Sequence, residues 1–168
     1  MKKNVDKLNE EIKLDREFHT ELEHLMMSIV HTHESLIKLS NQFLSKYGIS
    51  LTQLNALMSI YDFHQKHQQP LSQKELAVRL LINKASAGTL CNRLQKNNWI
   101  KIKASNVDKR AKEVTLTENG YQLFENVFIE YYEFMWALRD GISEKEINTV
   151  LSVQQKIRDN MNALSQEV

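Results

Sequence analysis

Residues 71–120 read LSQKELAVRLLINKASAGTLCNRLQKNNWIKIKASNVDKRAKEVTLTENG, and this stretch decides the fold. Ser72 and Glu75 stand ahead of the apolar face Leu76, Ala77 and Leu80. That is a capping box: the serine hydroxyl takes an orphan amide and the glutamate reaches back to the serine amide. Asn83 caps a second helix, in which Ala87, Leu90, Cys91 and Leu94 recur at helical spacing on an inward face. Ser86, Thr89 and Arg93 form one outward stripe, and Ala85, Gly88, Asn92 and Lys96 an adjoining one. Asn97-Asn98 closes the helix, because Asn tolerates the left-handed backbone of a C-cap. Trp99–Lys103 and Lys112–Leu116 then alternate like half-buried strands, the second with Val114 and Leu116 inward, around a turn from Ala104 to Ala111. Two short helices and a β-hairpin in this order make a winged helix-turn-helix, which sets one helix in the major groove of double-stranded DNA.

Charge agrees with that reading. Asn83 to Lys112 carries eight Lys/Arg (Lys84, Arg93, Lys96, Lys101, Lys103, Lys109, Arg110, Lys112) and one acid, Asp108, so the segment is +7 in a chain of net charge +1. Residues 1–47 have net charge −1, 48–82 +1, and 113–168 −6. Positive charge is confined to where phosphate contacts need it. A helical module binding protein through the wing face is the competing class; the concentrated charge counts against it, since interface cores are depleted in charge.

The rest of the chain reads as helices. Val5, Leu8 and Ile12 begin an apolar spacing that resumes through Phe18, Leu22, Leu25, Met26, Ile29 and Val30 and again from Leu36 to Leu44. This predicts one amphipathic helix or two in series, ending near Tyr47-Gly48. Another helix runs from about Leu51, capped by Ser50 or Thr52, to about His67, where Gln68-Gln69-Pro70 breaks it. Thr117 caps a long helix bearing Tyr121, Phe124, Phe128, Tyr131, Met135 and Leu138, which Gly141 stops. Ser143 and Glu146 form a second capping box opening the last helix. The expected class is therefore mainly α, with 48–116 as the reading head and 1–47 and 117–168 as helices whose apolar faces a second copy would cover.

The 168 residues, 42% hydrophobic, suffice for a real core. One cysteine, Cys91, forms no intrachain disulfide and fits a reducing compartment. No apolar run approaches the roughly 20 residues of a membrane span, and the charged N-terminus lacks the apolar stretch of a signal peptide, so a cytoplasmic protein is expected. There is no Gly-rich phosphate loop, nucleophile elbow or HExxH motif, which argues against an enzyme.

The string Asp108-Lys-Arg110-Ala-Lys-Glu-Val114-Thr-Leu116-Thr117-Glu-Asn-Gly120 resembles the D-x-R…V-x-L-T-x-x-G signature of the MarR family of bacterial transcription regulators. Leu71-Ser-Gln-Lys-Glu-Leu76-Ala77 and Asn92-Arg93-Leu94 resemble the same pattern. The resemblance implies a homodimeric winged-helix protein, usually a repressor of a palindromic operator. It implies that the helix from Asn83 to Asn97 reads the major groove and that Arg110 enters the minor groove. Family members are often released by a small phenolic or lipophilic ligand; others respond to oxidants or metals. Two departures stand out: Asn98 replaces the common Gly before the first wing strand, and Thr89 replaces a frequent Arg.

The candidate DNA contacts are therefore Ser72, Lys84, Ala85, Ser86, Thr89, Asn92, Arg93, Lys103, Lys109 and Arg110. Ser86 and Thr89 can donate to bases or phosphates, and a guanidinium at the wing tip suits a narrow minor groove. Asp108, an anion beside phosphates, is expected to hold the wing by pairing with Arg93 or Arg110. Cys91 faces inward, where thiols are usually inert. His31 and His33 lie about 200° apart on a helix and cannot easily face one ion, while His64 and His67 sit at a helix end. No cofactor is expected beyond a small apolar or phenolic effector.

Overall fold

A computed structural model of the protein describes residues 2–105 and 108–166, and the side chains from residue 7 onward; Val5, Asn106 and Val107 of the patterns above lie outside the described side chains. The architecture is mainly α: α1 Lys2–Ile12, α2 Glu21–Leu44, α3 Leu51–His67, α4 Gln73–Arg79, α5 Lys84–Lys96, α6 Glu118–Trp136 and α7 Glu144–Ser165. Strands β1 Leu71–Ser72, β2 Ile100–Ala104 and β3 Lys112–Leu116 form an antiparallel sheet in the order β1-β3-β2. The chain packs as two compact units, Met1–Phe128 and Ile129–Val168.

The helix ends follow local chemistry. Thr20 accepts from the Glu23 N–H at 3.0 Å and separates α2 from α1, so the N-terminal apolar pattern is two helices. Arg16 pairs with Glu23 at this joint, and that hydrogen-bonded guanidinium holds the Glu23 carboxyl down at about 2. At α3 it is Ser50 and not Thr52 that caps, with Gln53 completing a reciprocal box. Ser143 and Glu146 form the expected box at α7. At α4 the box is only half made. Ser72 accepts from the Glu75 N–H at 3.1 Å, but the Glu75 carboxylate turns forward to the Arg79 guanidinium at 3.0 Å. A charge-assisted pair one turn along the helix displaces the neutral amide.

Strand β1 was not foreseen. Leu71 pairs with Val114 and Ser72 with Glu113, so the expected hairpin is the larger part of a three-stranded sheet. A two-residue strand has no alternation to betray it, and Pro70 directly before it reads only as a break. Leu71 and Val114 are both fully buried, as are Leu76, Leu94 and Ile100 of the reading head's core. Leu116 is half-buried, less inward than its alternation suggests.

Two helix ends use the same turn with different residues. After α5 the Asn98 N–H donates to the Gln95 carbonyl and the Trp99 N–H to the Leu94 carbonyl, with Asn98 left-handed at φ 59°. This is the shape the missing Gly would have taken. After α4, Leu81 takes the same role at φ 54°, with Leu81 N–H to Val78 and Ile82 N–H to Ala77, and its side chain is 93% exposed. A leucine gains nothing there and carries left-handed strain. Replacing Leu81 by Gly is expected to raise stability by ~0.5–1 kcal/mol, measured by denaturant unfolding. Gly120 is the opposite case: a Cβ there would stand 1.9 Å from the Trp99 carbonyl oxygen. Gly120→Ala should cost about 3 kcal/mol in the same assay, because main chain cannot swing aside.

Candidate nucleic-acid interface

Helix α5 is pinned by its inner face. Ala87, Leu90, Cys91 and Leu94 are all buried, as their spacing predicts. Their burial fixes the rotation of the helix, so Lys84, Ala85, Ser86, Thr89, Asn92 and Arg93 are all exposed on the other side. Asn83 starts the helix by accepting from the Ser86 N–H at 2.8 Å. Thr89 donates its hydroxyl proton to the Ala85 carbonyl at 3.2 Å, which leaves its methyl and lone pairs outward. A Cβ at Gly88 would meet nothing within 4 Å, so packing does not require this glycine.

Ser72 lies half-buried at the start of α4, its hydroxyl oxygen already accepting the Glu75 amide. On the wing, Lys103 is exposed opposite Glu113 in the β2–β3 ladder. Lys109 and Arg110 are exposed in the turn. Asp108 does not pair with either guanidinium among the described residues. Its carboxylate instead accepts the Arg110 main-chain N–H at 2.9 Å, and its carbonyl accepts the Ala111 N–H at 2.8 Å. An Asx-type bond to its own turn needs no long side chain to be ordered, so it prevails over an exposed ion pair. The wing is thereby shaped while the Arg110 guanidinium stays available.

Cys91, His31 and His67 are otherwise engaged. Cys91 is fully buried, and burial pushes its thiol up, away from the thiolate that oxidants attack. His31 Nε2 lies 3.3 Å from a Glu11 oxygen, and the His67 ring packs against Phe63 at 4.5 Å between centroids. Phe124 packs against Tyr61 at 4.8 Å and Phe128 at 5.1 Å, as core. Within the second unit Tyr132, Met135, Trp136, Leu138 and Ile142 line an apolar recess of about 350 Å³.

The sequence reading missed one neighbourhood. Ser50, Thr52 and Gln53 at the start of α3 face the outer stripe of α5 across a groove. Capping chemistry near Leu51 was legible, but nothing local in the sequence places that cap beside Arg93.

A sequence model of the MarR family matches residues 47–111, which spans α3 to the wing. The chain is 28% identical over 114 residues to an HTH-type transcriptional regulator of Bacillus cereus, covering 68% of this chain and 72% of the relative. Over this region the chain is similar to MarR-family transcriptional regulators. The Escherichia coli transcriptional repressor MprA is another relative, 23% identical, with 82% of this chain and 77% of MprA covered. Among solved structures, Staphylococcus aureus MepR in complex with DNA superposes with a TM-score of 0.72 at 22% identity, over 85% of this chain and 99% of MepR. Staphylococcus aureus MarR in complex with salicylate and kanamycin gives 0.67 at 26% identity, over 83% and 91%. The chain thus has the winged-helix fold of these proteins, and its relatives are named as transcriptional regulators and not as enzymes.

The exposed residues of the wing and of α5 are expected to act differently on DNA. Lys109→Ala should weaken binding to all duplex DNA and flatten the salt dependence by about one unit per lost phosphate contact. Thr89→Ala should reduce discrimination between operator and random DNA at nearly constant salt slope. Fluorescence anisotropy across a salt series reads both quantities; equal proportional losses of specific and non-specific binding in the two variants would refute the division.

Proposed function

We propose that the protein is a homodimeric repressor that binds a palindromic operator and leaves it when a small apolar or phenolic ligand binds. The observation that carries the reading is the exposed, cationic face of α5 and the wing, held by a buried inner stripe. In this reading Lys84, Ala85, Ser86, Thr89 and Asn92 lie in the major groove with Arg93 at its sugar–phosphate edge, and the bare surface at Gly88 permits close approach. Ser72, Lys103 and Lys109 meet the backbone, and Arg110 enters the minor groove while Asp108 shapes the turn. The complex of MepR with DNA, the repressor name of MprA and the MarR–salicylate structure support this reading by relationship.

Dimerisation through 1–47 and 117–168 is supported by exposed apolar side chains in each unit. Leu22 and Val30 of α2 are 63% and 56% exposed, and Ile129, Trp136, Met161 and Leu164 all exceed half exposure. Faces of this size call for a partner. Two heads must then match half-sites about 34–36 Å apart, so a ligand that favours a different spacing weakens binding. Cys91 is too buried to favour an oxidant-sensing reading. Among the described residues, no helix is long and apolar enough to cross a membrane.

The test combines hydrodynamics and binding. Sedimentation should give a dimer at micromolar concentration, and the dimer should shift DNA from the chain's own upstream region. Phenolic ligands should release it, whereas peroxide and zinc should not. A compact monomer, or release by peroxide that vanishes in Cys91→Ser, would overturn the proposal.

A further inference from the structure

We infer that the start of α3 is a second DNA-contact element: Thr52, with Arg93 of α5 across the groove from it, seats a phosphate of the operator backbone. The inference rests on the reading of this protein as a DNA-binding regulator and adds to it a residue that no motif marks.

The groove has a volume of about 580 Å³ and opens on the same side as the outer stripe of α5. Ile82 and Leu90 contribute its apolar wall, and no acidic side chain lines it. Several of its polar groups are already committed. Ser50 and Gln53 bond each other twice, Ser50 N–H to Gln53 Oε1 at 2.9 Å and Gln53 N–H to Ser50 Oγ at 3.3 Å. Thr89 gives its hydroxyl proton to the Ala85 carbonyl. Thr52 and Arg93 differ from these. Both are exposed, and neither side chain has a hydrogen bond or ion pair among the described residues. The groove therefore presents unspent donors, with a fixed positive charge and no carboxylate to compensate it.

That imbalance selects the ligand. A guanine edge also offers only acceptors, but it carries no net charge, whereas a phosphate offers acceptors together with a full negative charge. Position agrees. Arg93 lies seven residues beyond Ser86 on α5, roughly 10 Å along its axis. A helix in a major groove about 12 Å wide has sugar–phosphate walls on its flanks. Thr52 belongs to the neighbouring helix, so its contact falls on a wall and not on the floor. Gripping one phosphate from two helices sets how far α5 enters the groove.

Binding is measured on two duplexes, the chain's own upstream region and a random sequence, across a salt series. Thr52→Val keeps the shape and removes the donor, and should weaken binding to both duplexes by the same factor, roughly tenfold. Arg93→Gln should do likewise and lower the salt slope by about one unit. Combined, the two changes should cost less than the product of the single losses, because they release the same phosphate. Thermal melting of each variant checks that the fold is retained. Wild-type affinity in Thr52→Val would overturn this inference and leave the regulator reading intact. So would an Arg93→Gln variant that loses discrimination at constant salt slope, since it would make Arg93 a base reader. A wild-type protein that holds neither duplex at low salt would instead overturn the DNA-binding reading, and this inference with it.

Discussion

The carbonyl of Trp99 is where three elements of the reading head are tied. It accepts the Thr117 N–H at 3.0 Å, and the Gly120 backbone lies so close that no side chain fits between. Thr117 adds a hydroxyl donated to the Asn98 carbonyl at 2.6 Å, while the same oxygen accepts the Gly120 N–H at 3.0 Å. One residue pair thus caps α6, closes the base of the wing and anchors the left-handed turn that ends α5. Each bond is modest alone, about 1 kcal/mol net. Their value lies in geometry: the recognition helix, the sheet and the first turn of α6 share a single junction, so none can shift without the others.

That junction explains why the pattern Thr117-x-x-Gly120 carries structural weight. Threonine supplies a hydroxyl that donates and accepts at once, which serine would also do. Glycine is required for a different reason, the approach of main chain to main chain. Thr117 and Gly120 close the stretch that resembles the MarR signature, and the physical content of this pair is a packing constraint on the reading head and not a contact with DNA.

What could be read from the sequence followed from range. Caps at Ser50, Asn83, Thr117 and Ser143 act within three residues, and all four form. The inner stripe of α5 was legible because helical spacing alone orients it once one face is apolar. Asn98 was legible because Asn is the commonest substitute for Gly in a left-handed cap. Three features escaped. Strand β1 has two residues and exists only because β3 lies beside it. Asp108 had two plausible charged partners in sequence, and the main-chain amide next to it was chosen instead. The groove between α3 and α5 joins residues some forty positions apart, and no periodicity links them.

Charge distribution carries the argument past the individual contacts. The segment 83–112 is +7 while 113–168 is −6, and the chain as a whole is nearly neutral. A uniformly basic protein would attract duplex DNA to any face and would bind it strongly without regard to sequence. In the proposed regulator, segregated charge would draw DNA to α5 and the wing and repel it from the acidic C-terminal segment. Low net charge also limits the purely electrostatic share of affinity, so in the proposed regulator discrimination would fall to short side chains such as Ser86 and Thr89, whose reach is small. Short side chains read a base only when the helix carrying them is set at a fixed depth. The rigid junction at Trp99 supplies that constraint within the reading head. A clamp on the backbone, as inferred for Thr52 and Arg93, would convert a positioned helix into a positioned contact.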